Sequence, residues 1–160
     1  MTVYATSLGD LTSLINAKTS AALTNEFDVI GLIATPNGES PRNTKAMLQA
    51  KTTSATYQGR KVIYYDRLNL ADLAKFQYFK VPMEEGISIY AALNTLRDCL
   101  GIKFTTDDLV DTQTVATETG VAVTLTAKPM SLGWTGTVTL EFKGLPHIST
   151  AFYSDKLNGF

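Results

Sequence analysis

The stretch Ala127–Leu145, AKPMSLGWTGTVTLEFKGL, decides how this chain is read, because Ala50–Leu68, AKTTSATYQGRKVIYYDRL, is its counterpart 77 residues earlier. The two align without a gap. Ala50 matches Ala127, Lys51 matches Lys128, Ser54 matches Ser131, Gly59 matches Gly136 and Leu68 matches Leu145, with aromatic pairs Tyr57/Trp134 and Tyr65/Phe142. Such self-similarity sets the unit of the fold before any element is assigned. Upstream, Leu11–Phe27 aligns with Leu93–Leu109 at an offset of 82, pairing Leu11 with Leu93, Leu14 with Leu96 and Thr24 with Thr106. The blocks keep their order and the two offsets differ by 5, so the first copy is longer, and the turn-rich TPNGESPRN of Thr35–Asn43 is where the extra residues fit.

Within each copy the apolar spacing predicts a helix first. Ile89, Leu93, Leu96 and Leu100 recur on one helical face, and Gly101 stands where a left-handed cap ends a helix. Leu8, Leu11, Leu14 and Ile15 repeat the pattern behind Ser7, with Asp10 three residues on as in an N-cap arrangement. The polar stretches Thr24–Phe27 and Thr106–Leu109 predict short helical turns with Thr as cap and the acids near the positive end. The period then changes to two. Val121, Val123, Leu125 and Ala127 alternate with polar or small residues, as do Val138, Leu140 and Phe142, which predicts an antiparallel hairpin with one buried face. Trp134, and Tyr57 at the matching place, are expected to fold over the open end of each sheet as a plug.

The expected fold class is therefore α+β, two tandem repeats each with a helix packed on a small antiparallel β-sheet containing a β-hairpin. The divisions are residues 1–68, a connector 69–86, residues 87–145, and a C-terminal docking tail 146–160. With 160 residues, 44% hydrophobic and 18% charged, the chain can bury a core. Each half has only about 80 residues and would bury only about 60% of its unfolded surface, which favours packing on the other half or on partners.

The same numbers exclude several function classes. A net charge of −1 with mixed signs offers no basic stripe for nucleic acid. No stretch approaches the roughly 18 apolar residues of a membrane helix, and the opening MTVYATSLGD lacks the cationic and apolar regions of a secretory leader. Cys99 is the one cysteine, so no disulfide forms within the chain and no cysteine-rich zinc site exists.

In RNTKAMLQAKTTSATYQGRKVIYYDRLNLADL (Arg42–Leu73), LGIKFTTDDLVD (Leu100–Asp111) and GVAVTLTAKPMSLGWTGTVTLEF (Gly120–Phe142) the chain resembles a family of tailed-phage virion structural proteins, especially from large myoviruses, with tandem small domains. The likeness runs from Leu8 to Leu145. It implies a building block of the virion surface or tail, made in a bacterial cytoplasm, whose partners are other virion proteins and itself; it implies no catalytic residue. Capsid decoration is the first expectation for its place, and a tail or neck position the next.

Candidate chemistry in the residues themselves is sparse, and no enzyme activity is expected. His147, the only histidine, follows Pro146 after the last strand and reads as a loop residue rather than a base. Cys99 lies near its helix's apolar stripe and matches Ala17, so it reads as a small buried hydrophobe rather than a nucleophile. Asp107, Asp108 and Asp111 have oxygen ligands at short spacing, but acids beside a helix start need no metal to explain them. Phosphate-cradling glycine motifs are absent, and no cofactor is expected.

Partner surfaces carry more signal. Aligning the copies puts Val62 and Tyr64 on the outward face with Thr139 and Glu141, so one copy is apolar where the other is polar; this marks either an interface or a face covered by the connector or the other repeat. The tail holds Phe152, Tyr153, Leu157 and Phe160, which would dock on a neighbour or on the first repeat. The candidate interface is thus Val62, Tyr64, Phe152, Tyr153 and Phe160. A second reading, recognition of host glycans or proteins through Thr35–Asn43 and Pro129–Gly136, requires solvent-facing rings at Tyr57 or Trp134, where the structural reading requires buried ones.

Overall fold

Two helices are capped by serines, and the Ser7 cap and the Gly101 stop are those that the sequence announces. In helix α1 (Leu8–Lys18) the Ser7 hydroxyl accepts from the Asp10 amide at 3.2 Å and donates to its carboxylate at 2.8 Å, and Leu11 is wholly buried. Helix α2 (Ile89–Leu100) starts at Ser88, whose hydroxyl accepts from the Tyr90 amide and donates to Asp111 at 2.6 Å. It ends at Gly101, left-handed with φ 68°. Ile89, Ala92 and Leu96 form its buried stripe, with Leu93 and Leu100 partly covered. The structure, a computed structural model, describes residues 7–75 and 78–144.

The rest of the described chain is strand and loop, giving a mixed α+β fold with small, mostly antiparallel sheets. Strands β1 (Phe27–Ala34), β2 (Thr44–Ala50) and β3 (Arg60–Tyr65) form one sheet in that order, with a register shift between Val29 and Gly31. After them come β4 (Leu68–Asn69), a 3-10 helix (Leu70–Lys75) and β5 (Tyr78–Phe79). Strands β6 (Val115–Thr117), β7 (Gly120–Thr126), β8 (Trp134–Thr135) and β9 (Thr137–Phe142) follow α2. The second sheet has the order β5-β9-β7-β6, with β5 parallel to β9, while β4 pairs parallel to β8.

Alternation decides which side of each strand is covered. Val121, Val123 and Leu125 on β7 and Leu140 and Phe142 on β9 are buried, as the period of two predicts, and Thr44, Ala46 and Leu48 take the places of the first three on β2. Two of those three are small or polar, which is why hydropathy makes β2 look less regular than it is. Both hairpins close alike. The Ala50 amide donates to Gly59 O and the Ala127 amide to Gly136 O, each at 3.0 Å. Gly59 and Gly136 have φ 85° and 82°, values that L side chains resist, and a Cβ on Gly136 would also collide with the Asn69 side chain.

Two expectations need correction. No helical turn follows α1 at Thr24–Phe27, because the Asn16 side chain already satisfies both the amide and the carbonyl of Leu23, and the chain enters β1 at Phe27. At Thr106–Leu109 the chain makes a hydrogen-bonded turn rather than a helix, and it is Thr105, not Thr106, whose amide and hydroxyl donate to the Asp108 carboxylate at 2.9 and 2.7 Å.

The cores are two clusters stitched together. One gathers Leu11, Phe27, Leu32, Ala46, Leu48 and Tyr65, and takes Leu132 from the far hairpin loop against it. The larger gathers the apolar faces of α2, β7 and β9 with Leu70 and Leu73, so residues of the segment 69–86 are built into that core, and Phe79 stacks on Phe142 at 4.9 Å. Between the clusters lies Arg67. Its Nη1 sits 3.2–3.4 Å from the carbonyl oxygens of Pro129, Ser131 and Trp134, and its Nε donates to Thr44 Oγ1. Arg67→Ala leaves those carbonyls without their cationic donor; we expect a loss of about 2–3 kcal/mol in urea unfolding.

Tyr65 supplies a second test. Its hydroxyl is buried with no hydrogen-bond partner among the described residues, and burial pushes the phenol up to about 12, with the Arg67 charge pulling the other way. The folded state therefore holds this proton beyond the ordinary 10.0, so the contribution is intact below pH 10 and lost as pH rises toward 12. Tyr65→Phe should be neutral or stabilising by up to about 1 kcal/mol at pH 7, and should flatten the alkaline fall in thermal stability.

Candidate interaction surface

The β1-β2-β3 sheet turns a mostly apolar face away from its core. Register places Ile33, Lys45 and Tyr64 in one row across the three strands, and Gly31, Met47 and Val62 in the next. Successive residues of a strand alternate faces, so this is the side opposite Thr44, Ala46 and Leu48. Ile33 is 55% exposed and Tyr64 37%, while Met47 and Val62 are half-buried. The third row, Asp28, Gln49 and Arg60, is polar and forms a rim.

A small polar network fixes the other side of the patch. Glu39, from the Thr35–Asn43 loop, accepts from Lys45 Nζ at 2.5 Å and from Tyr64 Oη at 2.6 Å. Those two hydrogen bonds hold the Glu39 carboxyl below its usual range. The bond to Glu39 in turn raises both the Lys45 ammonium and the Tyr64 phenol. The long loop thus orients the Tyr64 ring at the edge of the patch. At the strand end, Asp66 accepts from Arg42 Nη1 at 2.7 Å and from the Asn43 amide at 2.9 Å, which keeps its carboxyl low.

The corresponding face of the other sheet is hydroxyl-rich. Thr124 and Thr139 hydrogen-bond at 2.9 Å, Thr137 donates to Thr126, and Glu141 pairs with Lys143. Cross-strand threonines stabilise a sheet while leaving it wet. Val115 on β6, 62% exposed, is the main apolar group there.

Val62 and Tyr64, singled out from sequence, do share this face. Phe152, Tyr153 and Phe160 lie outside the described residues, as does His147. Sequence reasoning missed Ile33 and Met47. The signal for Ile33 was present in FDVIGLIA, a short apolar run bounded by turn residues, which reads as a strand. The two aromatic plugs diverge. Trp134 is 3% exposed and packs on Phe104 with centroids 5.0 Å apart, whereas Tyr57 is 38% exposed and, among the described residues, is not part of the first core, against which Leu132 packs instead.

The other candidate chemical groups have structural partners. Asp108, fully buried, accepts from Thr105 and from Ser131 Oγ at 2.9 Å, and Ser131 Oγ accepts from the Trp134 amide, so this acid braces the hairpin loop. Asp111 caps α2, and among the described residues no group of three or more His, Cys, Asp or Glu could hold a metal ion. No helix among them is long and apolar enough to cross a membrane. Cys99 packs against the larger core, where burial and then the neighbouring Asp98 raise its thiol. It should therefore react slowly with a disulfide reagent at pH 7 and fast in denaturant; a native rate above the denatured rate would make it an activated thiol.

Fold and surface together define a small α+β protein with one apolar and one hydroxyl-rich sheet face. The chain belongs to a family described as "Family of unknown function (DUF7941)", whose model matches residues 1–160. No curated protein and no solved structure matches it.

Proposed function

We propose that this chain is a structural component of a tailed-phage virion, built as two tandem copies of one helix-and-hairpin unit. The duplication is supported by register. All six β2–β3 pairs, from Thr44↔Tyr65 to Gln49↔Arg60, have β7–β9 equivalents exactly 77 residues on, from Val121↔Phe142 to Thr126↔Thr137. Ile33↔Lys45 and Phe27↔Ala50 likewise correspond to Val115↔Ala122 and Leu109↔Ala127, with 82 added to the first residue and 77 to the second. Even the closing bonds recur: Lys51 donates to Glu26 O and Lys128 to Asp108 O, both at 2.8 Å. The unit divisions 1–68 and 87–145 follow this alignment.

The observation that carries the assembly role is the apolar face of Met47, Val62 and Tyr64, set against Thr124, Thr139 and Glu141 at the equivalent places, with Ile33, like its equivalent Val115, exposed beside it. One unit keeps a wet outer face; the other has become a contact surface. With the family resemblance of its segments, that points to a protein whose work is cohesion, with major capsid or tail proteins and further copies of itself as partners. Decoration of the capsid is the first assignment and a tail or neck position the second. A subunit that binds only the assembled lattice stabilises it by mass action.

A second reading, host-surface recognition, draws on exposed Tyr57 in the hairpin loop, although buried Trp134 offers no such platform. Mass spectrometry of purified particles, before and after separating heads from tails, tests the proposal. Many copies with heads support decoration, many with tails move the protein there, a few copies at a tail tip favour recognition, and absence from particles overturns the structural role.

A further inference from the structure

The outer edge of β3 has no strand beside it among the described residues, whereas the equivalent edge of β9 is covered by β5. The difference can be read at the level of single groups. Because the Ala50 amide bonds Gly59 directly opposite, the residues of β3 that face β2 are Lys61, Ile63 and Tyr65. The backbone N–H and C=O groups of Arg60, Val62 and Tyr64 therefore point outward. On β9 the same parity turns Lys143 outward, and its amide donates to Phe79 O at 2.8 Å.

Natural edge strands are guarded by inward charges, prolines or bulges, because a bare edge templates further pairing. β3 has its two charges at one end, Arg60 and Lys61, and then runs Val-Ile-Tyr-Tyr without a guard. Its β-branched and aromatic residues are the types that pair best across strands.

We infer that β3 pairs antiparallel with β3 of a second copy about a two-fold axis at Val62, joining two three-stranded sheets into one of six strands. This surface goes beyond the virion role and does not depend on it. The occupant is argued from self-complementarity. Centring the axis on Val62 is the register in which all three outward residues find outward partners: Val62 meets Val62 of the second copy, and Arg60 meets Tyr64. No like charges then stand opposite one another, since Lys61 faces Ile63 on the other side of the sheet. Arg60 also arrives over the Tyr64 ring, beside the Glu39 carboxylate that Tyr64 already bonds, a favourable place for a guanidinium. The patch of Ile33, Met47 and Val62 is thereby doubled across the axis. A closed isologous contact of this kind is the commonest way for a chain to pair with itself.

The test uses the full chain carrying Cys99→Ala, so that one introduced cysteine reports alone. Directly opposed residues in a hydrogen-bonded antiparallel pair lie about 5.5 Å apart at Cα, inside the range a disulfide spans. Under mild oxidation Val62→Cys should give mostly covalent dimer. A mixture of Arg60→Cys chains with Tyr64→Cys chains should link several-fold more than either alone, and exposed Val115→Cys should stay monomeric. Val62→Pro, which removes an outward amide and is tolerated at an edge, should shift the sedimenting species to monomer with an unchanged circular dichroism spectrum. The inference is overturned if Val62→Cys links no better than Val115→Cys, or if a dimer persists in folded Val62→Pro. It is equally overturned if deletion of residues 146–160, and not Val62→Pro, abolishes the dimer.

Discussion

Hairpin register is the constraint on which the rest of this structure depends. A strand alternates its faces residue by residue, so a slip of one would turn Val123, Leu125, Leu140 and Phe142 out and the threonines in. The slip is prevented where the loop closes. A left-handed glycine lets the chain return, the alanine amide locks onto the glycine carbonyl, and a serine hydroxyl inside the loop caps a following amide. In the second hairpin a buried carboxylate, Asp108, grips that serine as well. Four of the five residues common to the two quoted stretches, Ala, Lys, Ser and Gly, are those that make this closure.

Once register is set, the two cores differ in how they are completed. The larger closes over its own hairpin with Trp134 and Phe104, and with Leu70 and Leu73 from the 3-10 helix. The smaller takes Leu132 from the other hairpin loop while Tyr57 stays exposed. Arg67 holds the two together by sitting among three carbonyls of the loop that carries Leu132. A guanidinium suits this place because it keeps its charge when partly buried and has donors in several directions. Burial lowers its pKa from the free value, with the nearby Tyr65 acting in the opposite sense.

The outer faces then diverge within one backbone plan. In the proposed duplication the second unit keeps threonines that bond one another, and β5 covers its sheet edge. The first unit has Met47, Val62 and Tyr64 in those places, an exposed Ile33 and, among the described residues, an edge without a strand. Substitution of a few outward residues is enough to turn a solvated sheet into a contact surface, because the inward residues that hold the fold are untouched.

Both helices, the Ser7 cap, the Gly101 stop, the β7–β9 hairpin and the faces of Val62 and Tyr64 were legible in the sequence by itself. These rest on local chemistry and on periodicity, which act between residues close along the chain. Tertiary structure alone decided that Trp134 is buried and Tyr57 is not, that Thr105 rather than Thr106 caps Asp108, and that Leu70 and Leu73 belong to the larger core. It also brought Ile33 and Met47 beside Val62 and Arg67 among the loop carbonyls. Each of those outcomes depends on which distant surface fills a gap or satisfies a donor, and that competition is settled only when the sheets and helices pack.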